Sequence, residues 1–232
     1  MIRTKTLTAI FNIEIDPWEV TAFRGAVAQR VGKEESLFHN HIDDKFVFSY
    51  PLIQYKRIKN KAAIFCIGAG AEQLYKLFEK NHQPIQIGEQ KFSLEVERLD
   101  LKTALIQVWD RPFSFKIKNW LALNSENYKK YHGLDSLGDR IKFLEKTLIN
   151  QIINMAKGIG WTVENSIEVA ITEIESERVI TYKDLPYHSF DLYFKCNVSL
   201  PPYIGLGKAP SHGFGIVHKI NNFKFQQEND NL

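Results

Sequence analysis

His39 and His41, one residue apart in the stretch LFHNHIDD, are the side chains of this sequence best placed by type and spacing to move a proton near neutral pH. Such a pair has three uses: a metal site, acid/base chemistry, or none beyond a solvated loop. Metal is disfavoured, because the flanking residues supply no cysteine and the nearby carboxylates are only Asp43 and Asp44. If the segment is an extended loop, its period of two turns both imidazoles to one side, where they can share the roles of base and acid. Spacing alone does not separate that chemistry from a plain loop.

A second stretch, GLGKAPSHGFGIV at 205–217, sets Gly205, Gly207, Gly213 and Gly215 around Lys208, Ser211 and His212. It is not a Walker A loop, since Pro202 and Ala209 stand where the first glycine and the Ser or Thr belong. Gly68 and Gly70 in CIGAGAEQL likewise fail the dinucleotide fingerprint, with Gln73 in place of its third glycine. What remains at 205–217 is a long turn offering backbone N–H groups, the Lys208 ammonium and the Ser211 hydroxyl to phosphate oxygens. The plainer alternative is a structural loop whose glycines only supply positive φ.

These groups need a frame. The 232 residues are enough for one large domain or two small ones. Thirty Lys plus Arg against 27 Asp plus Glu leave a net charge of +3, compatible with a basic face on a mixed surface but no proof of one. Cys66 and Cys196 lie in apolar strand-like runs and read as buried thiols, with no disulfide and no metal site. The N-terminus alternates rather than forming a signal-type apolar run, and no stretch approaches the roughly twenty apolar residues of a spanning helix. A cytoplasmic protein without a membrane contact is expected.

Alternation predicts a strand over 6–15, Asp16-Pro17 opens a helix over about 17–31, and strands KFVFSYPLIQYKRI and KAAIFCIG follow. GAEQLYKLFEK reads as a second helix and QPIQIGEQKFSLEVERLDL as strand-rich. This β-α-β-β-α-β order is that of a ferredoxin-like, or RRM-like, domain. A boundary near Asp110 to Pro112 divides the chain into 1–110 and 111–222, with a polar tail at 223–232. The second part starts on SFKIKNWLALN and continues in a long helix whose apolar stripe runs Leu137, Ile141, Leu144, Leu148, Ile152, Met155. Asp135 or Ser136 caps it and Gly158 to Gly160 stop it. ENSIEVAITEIESERVITYKD and HSFDLYFKCNVSL then pair as strands, and GIVHKI closes a modified copy of the first half. The fold class is α+β, as tandem ferredoxin-like domains.

GLGKAPSHGFGIV resembles the C-terminal glycine-rich motif of the CRISPR-associated repeat-RNA endoribonucleases, the sixth Cas family within the RAMP superfamily. Its form is Gly-x-Gly, about five residues, then Gly-Phe-Gly and an apolar strand. The tandem architecture agrees, and the likeness extends loosely over the whole chain. The resemblance implies a catalytic histidine in the loop after the first helix, which here is ESLFHNHIDDKF. His39, His41, Lys45 and Tyr50 are thus candidates to meet at one phosphate. Some members carry a tyrosine on the first helix; PWEVTAFRGAVAQRVG has none, and Tyr50 is the proposed substitute.

Such an enzyme needs no metal or other cofactor. A base takes the proton of the neighbouring 2′-hydroxyl, an acid protonates the departing 5′-oxygen, and a cation steadies the phosphorane. Repeat RNA would be held by the run Lys56-Arg57-Ile58-Lys59-Asn60-Lys61, by Lys116 and Lys118, and by the glycine stretch through Gly205, Gly207, Lys208, Ser211, His212, Gly213 and Gly215. Lys129-Lys130 is a further basic pair. His82, His132, His188 and His218 read as ordinary loop, surface or core residues. Repeat RNA is the expected partner, with other Cas proteins and a second copy of the chain as further candidates. Two rival readings stand beside this one: an RNA-binding RAMP subunit of a CRISPR complex that does not cut, and a scaffold of duplicated ferredoxin-like domains.

Overall fold

The computed structural model describes residues 1–32, 34–39, 50–79 and 84–220, with the backbone alone at 41–42 and 45–46. The side chains of His41 and Lys45, the residues Asp43 and Asp44, His82 and the tail 223–232 lie outside the described residues.

β1 (Ile2–Glu14) is longer than the alternating run predicted, and Asp16-Pro17 opens a 3-10 turn (Pro17–Glu19) in which Asp16 N donates to Glu19 Oε2 at 2.7 Å. α1 (Val20–Val31) follows and buries Phe23, Val27 and Val31. The segment read as an extended loop is instead a helical turn, α2 (Ser36–His39), followed by the short strands β2 (His41–Ile42) and β3 (Lys45–Phe46). His39 therefore ends a helix while His41 begins a strand, so the period-two argument for their sharing a side does not hold.

β4 (Ile53–Ile58) and β5 (Lys61–Ile67) turn through Lys59 and Asn60, both at positive φ as a tight hairpin turn demands. The expected second helix is broken into α3 (Ala69–Gln73) and α4 (Lys76–Glu79). A small hairpin, β6 (Ile85–Ile87) and β7 (Gln90–Phe92), precedes β8 (Val96–Ile106). One residue later β9 (Val108–Trp120) begins, so Asp110 to Pro112 lie inside a strand.

In the second half α5 (Ser125–His132) and α6 (Leu137–Gly158) lead to the hairpin β10 (Val169–Tyr182) and β11 (Leu185–Val198), and β12 (Ile216–Lys219) closes the sheet. Ser136 is the cap of α6, its Oγ accepting from Asp139 N at 3.0 Å. Leu144, Leu148, Ile152 and Met155 of the predicted stripe are buried; Leu137, in the first turn, is 68% exposed. Burying each such side chain contributes about 1.5–3 kcal/mol.

The two main sheets have strand orders β4-β5-β1-β8 and β10-β11-β9-β12, all neighbours antiparallel. Numbered within each half, both read 2-3-1-4, the ferredoxin-like order twice over. The halves differ between their third and fourth strands. There the first half has α3 and α4, whereas the second has the irregular stretch 199–215, where Pro201, Pro202 and the glycines leave no helix. That stretch forms part of the contact between the halves. Phe65, Ile67 and Ile106 of the first sheet belong to the same hydrophobic core as Phe115, Trp120, Leu148 and Leu206 of the second half.

Candidate active site

The glycine stretch lies on β4. Tyr55 and His212 form a parallel bridge, Tyr55 N donates to Ser211 O at 3.5 Å, and Lys56 Nζ donates to Pro210 O at 3.3 Å. Gly205 N donates to Gln54 Oε1 at 2.9 Å, and Tyr50 Oη donates to Gly205 O at 2.8 Å. A side chain at Gly205 would meet Pro210 Cβ, Lys56 Nζ and Gln54 Oε1 within 2.7–2.9 Å, and one at Gly215 would stand 1.8 Å from Leu206 O. Gly207 is packed on Trp120 and Gly213 on Val20. The bare backbone thus serves close approach of protein to protein; the surface left open to a ligand is the rim formed by Lys208 to His212.

That rim is one wall of a cleft of about 770 Å³ between the halves. α1 and α2 contribute Arg24 and His39, the segment just before β4 Tyr50 and Pro51, and α6 Asn154, Lys157 and Gly158. The β10–β11 hairpin adds Tyr182, Lys183 and Tyr187, and the glycine stretch supplies Gly207 to His212. Arg24, Lys157, Lys183 and Lys208 face it, and no carboxylate is among its described lining residues. Such a cavity favours a polyanion. Of the sequence candidates, it unites His39, Tyr50, Gly207, Lys208, Ser211 and His212.

His39 is held at two points of α1, at its C-cap and at Arg24 two turns earlier. Its Nε2 donates to Gly32 O at 2.8 Å, which makes Nδ1 the basic nitrogen of the neutral ring, and its carbonyl accepts from Arg24 Nη2 at 2.7 Å. Tyr50 also accepts from Gln54 Nε2 at 2.8 Å. Burial raises its phenol well above the ordinary value, against the smaller effects of the Gln54 and Gly205 bonds, so it stays protonated. His212 Nδ1 is 3.4 Å from Thr21 Oγ1, and burial, then the charges of Arg24 and Lys183, lower the imidazole to about 4. It is neutral at working pH. Lys208 Nζ lies over the Tyr187 ring, 4.4 Å from its centroid, and donates to the Tyr187 hydroxyl at 3.0 Å.

The run 56–61 does not form a basic patch. Lys56 is fully buried beneath the glycine stretch, Arg57 Nε donates to Ile15 O at 2.6 Å, and Lys61 pairs with Glu97; Lys59 is exposed at the turn. Lys116 is paired with Glu175 and donates to Tyr193 Oη at 3.0 Å, while Lys118 is exposed on the same face of β9. None of these lines the cleft. His132 and His188 meet edge to face beside Tyr128, and His188 Nδ1 is 3.2 Å from Glu177 Oε1.

Arg24, Asn154, Lys157, Tyr182, Lys183 and Tyr187 escaped the sequence reading. Lys157 sits just before the glycine stop of the long helix, and Lys183 in a two-residue turn with Asp184, both at positive φ. Neither position marks a site in sequence. Arg24 is the cation that α1 offers in this cleft, on the helix where a tyrosine was looked for and not found.

This architecture is that of Cas6 proteins. The "Csf5, CRISPR-Cas type IV Cas6 crRNA endonuclease" structure shares the fold at a TM-score of 0.54 and 12% identity, over 95% of this chain and 100% of that one. The family is shown by sequence: the Cas6b N-terminal domain matches residues 1–105 and the Cas6b C-terminal domain residues 107–220, and the chain belongs to the Cas6b family. A Cas6b crystal structure matches with a TM-score of 0.86 at 28% identity, over 94% of this chain and 100% of that one. The CRISPR RNA processing endoribonuclease Cas6b matches at 0.73 and 25%, with the same coverage. An uncharacterized protein of Methanocaldococcus jannaschii is 36% identical over 104 residues, 45% of this chain and 69% of the relative. None of the described helices is long and apolar enough to cross a membrane.

Proposed function

We propose that this protein cuts CRISPR repeat transcripts into guide RNAs without a metal, by attack of the 2′-hydroxyl on the neighbouring phosphate. The observation that carries the reading is the cleft where His39 meets Arg24, Lys157, Lys183 and Lys208 with no carboxylate among the described lining residues. His39 transfers the proton, and the surrounding cations hold the RNA phosphate and offset the charge that builds on the phosphorane. His41 and Lys45 lie on the two short strands that follow His39 and are the partners proposed for acid/base and charge roles. Tyr50 braces the wall instead of moving a proton, since its hydroxyl is spent on Gly205. The solved Cas6b neighbour described as a CRISPR RNA processing endoribonuclease supports the substrate class.

The test is incubation with a repeat RNA of the host in excess chelator, beside His39→Ala, His41→Ala and an RNA with one 2′-deoxy sugar at the cut. A single defined cut, leaving a 5′-hydroxyl and a cyclic or 3′ phosphate, is expected to survive chelation. It should disappear with the 2′-deoxy RNA and with His39→Ala. Binding without cutting would assign the protein to RNA holding alone.

A further inference from the structure

The α1 helix is the element on which His39 depends. The imidazole Nε2 is bonded to the carbonyl of Gly32 at the C-terminal end of α1, and the His39 carbonyl is bonded to the guanidinium of Arg24, two turns earlier on the same helix. Both contacts hold the histidine to a helix whose other face is packed in the core through Phe23, Val27 and Val31. Arg24 is half-buried; its Nε is shielded from solvent and has no hydrogen-bond partner among the described residues. Leaving a buried N–H unpaired is unfavourable, and the bond that Arg24 does make is the one to the His39 carbonyl. Arg24 also stands close enough to Tyr182 of the hairpin and His212 of the glycine stretch for its charge to be felt by both. It is therefore placed where the walls of the cleft meet.

We propose that Arg24 is a positioning residue for cleavage: by fixing the main chain of His39 while Gly32 O fixes Nε2, it holds the imidazole as the Nε2–H tautomer and presents Nδ1 as the nitrogen that exchanges a proton with the RNA. The proposal rests on the reading of the cleft as the place where RNA is cut. The logic is that of any catalytic imidazole whose second nitrogen is tied to a fixed acceptor, with the addition that the main-chain clamp lies on α1 and the acceptor is the residue that caps that helix. Lysine cannot replace the planar fork in full, although it can still reach a single carbonyl.

Full-length Arg24→Ala, Arg24→Gln and Arg24→Lys are compared with the parent in single-turnover cleavage of repeat RNA, in RNA affinity at fixed salt, and in long-range proton–nitrogen spectra of the His39 ring, assigned with His39→Ala. Arg24→Ala is expected to lower the cleavage rate about ten- to hundredfold, as small displacements of a catalytic group do, with affinity changed far less. Arg24→Lys should retain more activity than Arg24→Gln, millimolar guanidinium should restore part of the Arg24→Ala rate, and the single Nε2–H signature should become a mixture of tautomers. Unchanged cleavage, or a loss confined to affinity, with the His39 signature intact would overturn the proposal. Should the parent not cut RNA, or His39→Ala cut as well as the parent, the reading of the cleft fails instead. The tautomer signature of the Arg24 variants then still decides whether Arg24 positions His39.

Discussion

Tyr50 and Gly205, 155 residues apart, are joined by a hydrogen bond of 2.8 Å from the phenol to the glycine carbonyl. Beside it, Gly158 is so close to Tyr50 that an added Cβ would stand 2.3 Å from the tyrosine Cβ. One aromatic residue, just ahead of β4, therefore fastens the first half to both the glycine stretch and the long helix of the second. Tyr50→Phe leaves a carbonyl without its donor and should destabilise the protein by about 1–2 kcal/mol, read as a lower melting temperature. Well below that temperature its cleavage rate should fall much less than that of His39→Ala. An equal loss would return Tyr50 to the proton-transfer role.

Adding a methyl group at the glycine stretch tests what its bare backbone is for. Gly215 combines φ +61 with a backbone oxygen 1.8 Å from the added carbon, whereas Gly205 meets mainly side-chain atoms within 2.7–2.9 Å. Gly215→Ala should therefore cost more than Gly205→Ala, which is expected near the 1–3 kcal/mol typical of overpacking. For a chain of this length each kcal/mol corresponds to roughly 2–4 °C of melting temperature. Loss of RNA affinity with unchanged melting would instead mean that these glycines face the ligand.

Two histidines and a lysine make the fold sensitive to acid in a defined direction. Burial lowers Lys56 from 10.5 to about 7, and burial lowers His218, with Lys118, Lys56 and Lys116 adding to the effect, from 6.5 to about 4. His212 is lowered to the same level by burial and by Arg24 and Lys183. In each window the unfolded chain binds a proton that the folded chain rejects, so stability rises with pH from about 7 to 10.5 for Lys56 and from about 4 to 6.5 for the histidines. Lys56→Met should flatten the melting-temperature profile in the upper window, and His218→Gln should reduce its slope in the lower one. Profiles with the parental slope would refute the burial argument.

Lys157, Lys183 and Lys208 are expected to carry the RNA electrostatics of the cleft. Each change to Ala should weaken binding and lower the salt slope by about 0.7 for every phosphate of single-stranded RNA that is no longer neutralised. Lys59→Ala and Lys118→Ala, outside the cleft, should leave that slope close to the parental value. Equal effects at all five positions would spread the RNA footprint beyond the cleft.

The ferredoxin-like order of each half was legible because alternation and helical period are local: the stripe from Leu144 to Met155 and the strand runs appear where they were expected. His39 and the rim from Lys208 to His212 were singled out through the family resemblance, and the fold brings them to one cleft. Lys56 was misread because a lysine in a turn-flanking basic run looks solvated until the strand that buries it is laid under the glycine stretch. Arg24 and Lys183 were invisible for the opposite reason. Arg24 meets Tyr182 and His212 from more than a hundred residues away in sequence, and Lys183 stands in a short hairpin turn that carries no motif.

Phe65, Ile67 and Ile106 share one apolar core with Phe115, Trp120 and Leu206. The walls on either side of His39 are thereby soldered together before any RNA arrives. On the proposed reading of the cleft, such a crevice would not close on its substrate like a jaw; an RNA would have to fit the shape that the fixed walls admit. Selection among transcripts would then rest with the shape of the RNA and not with movement of the protein.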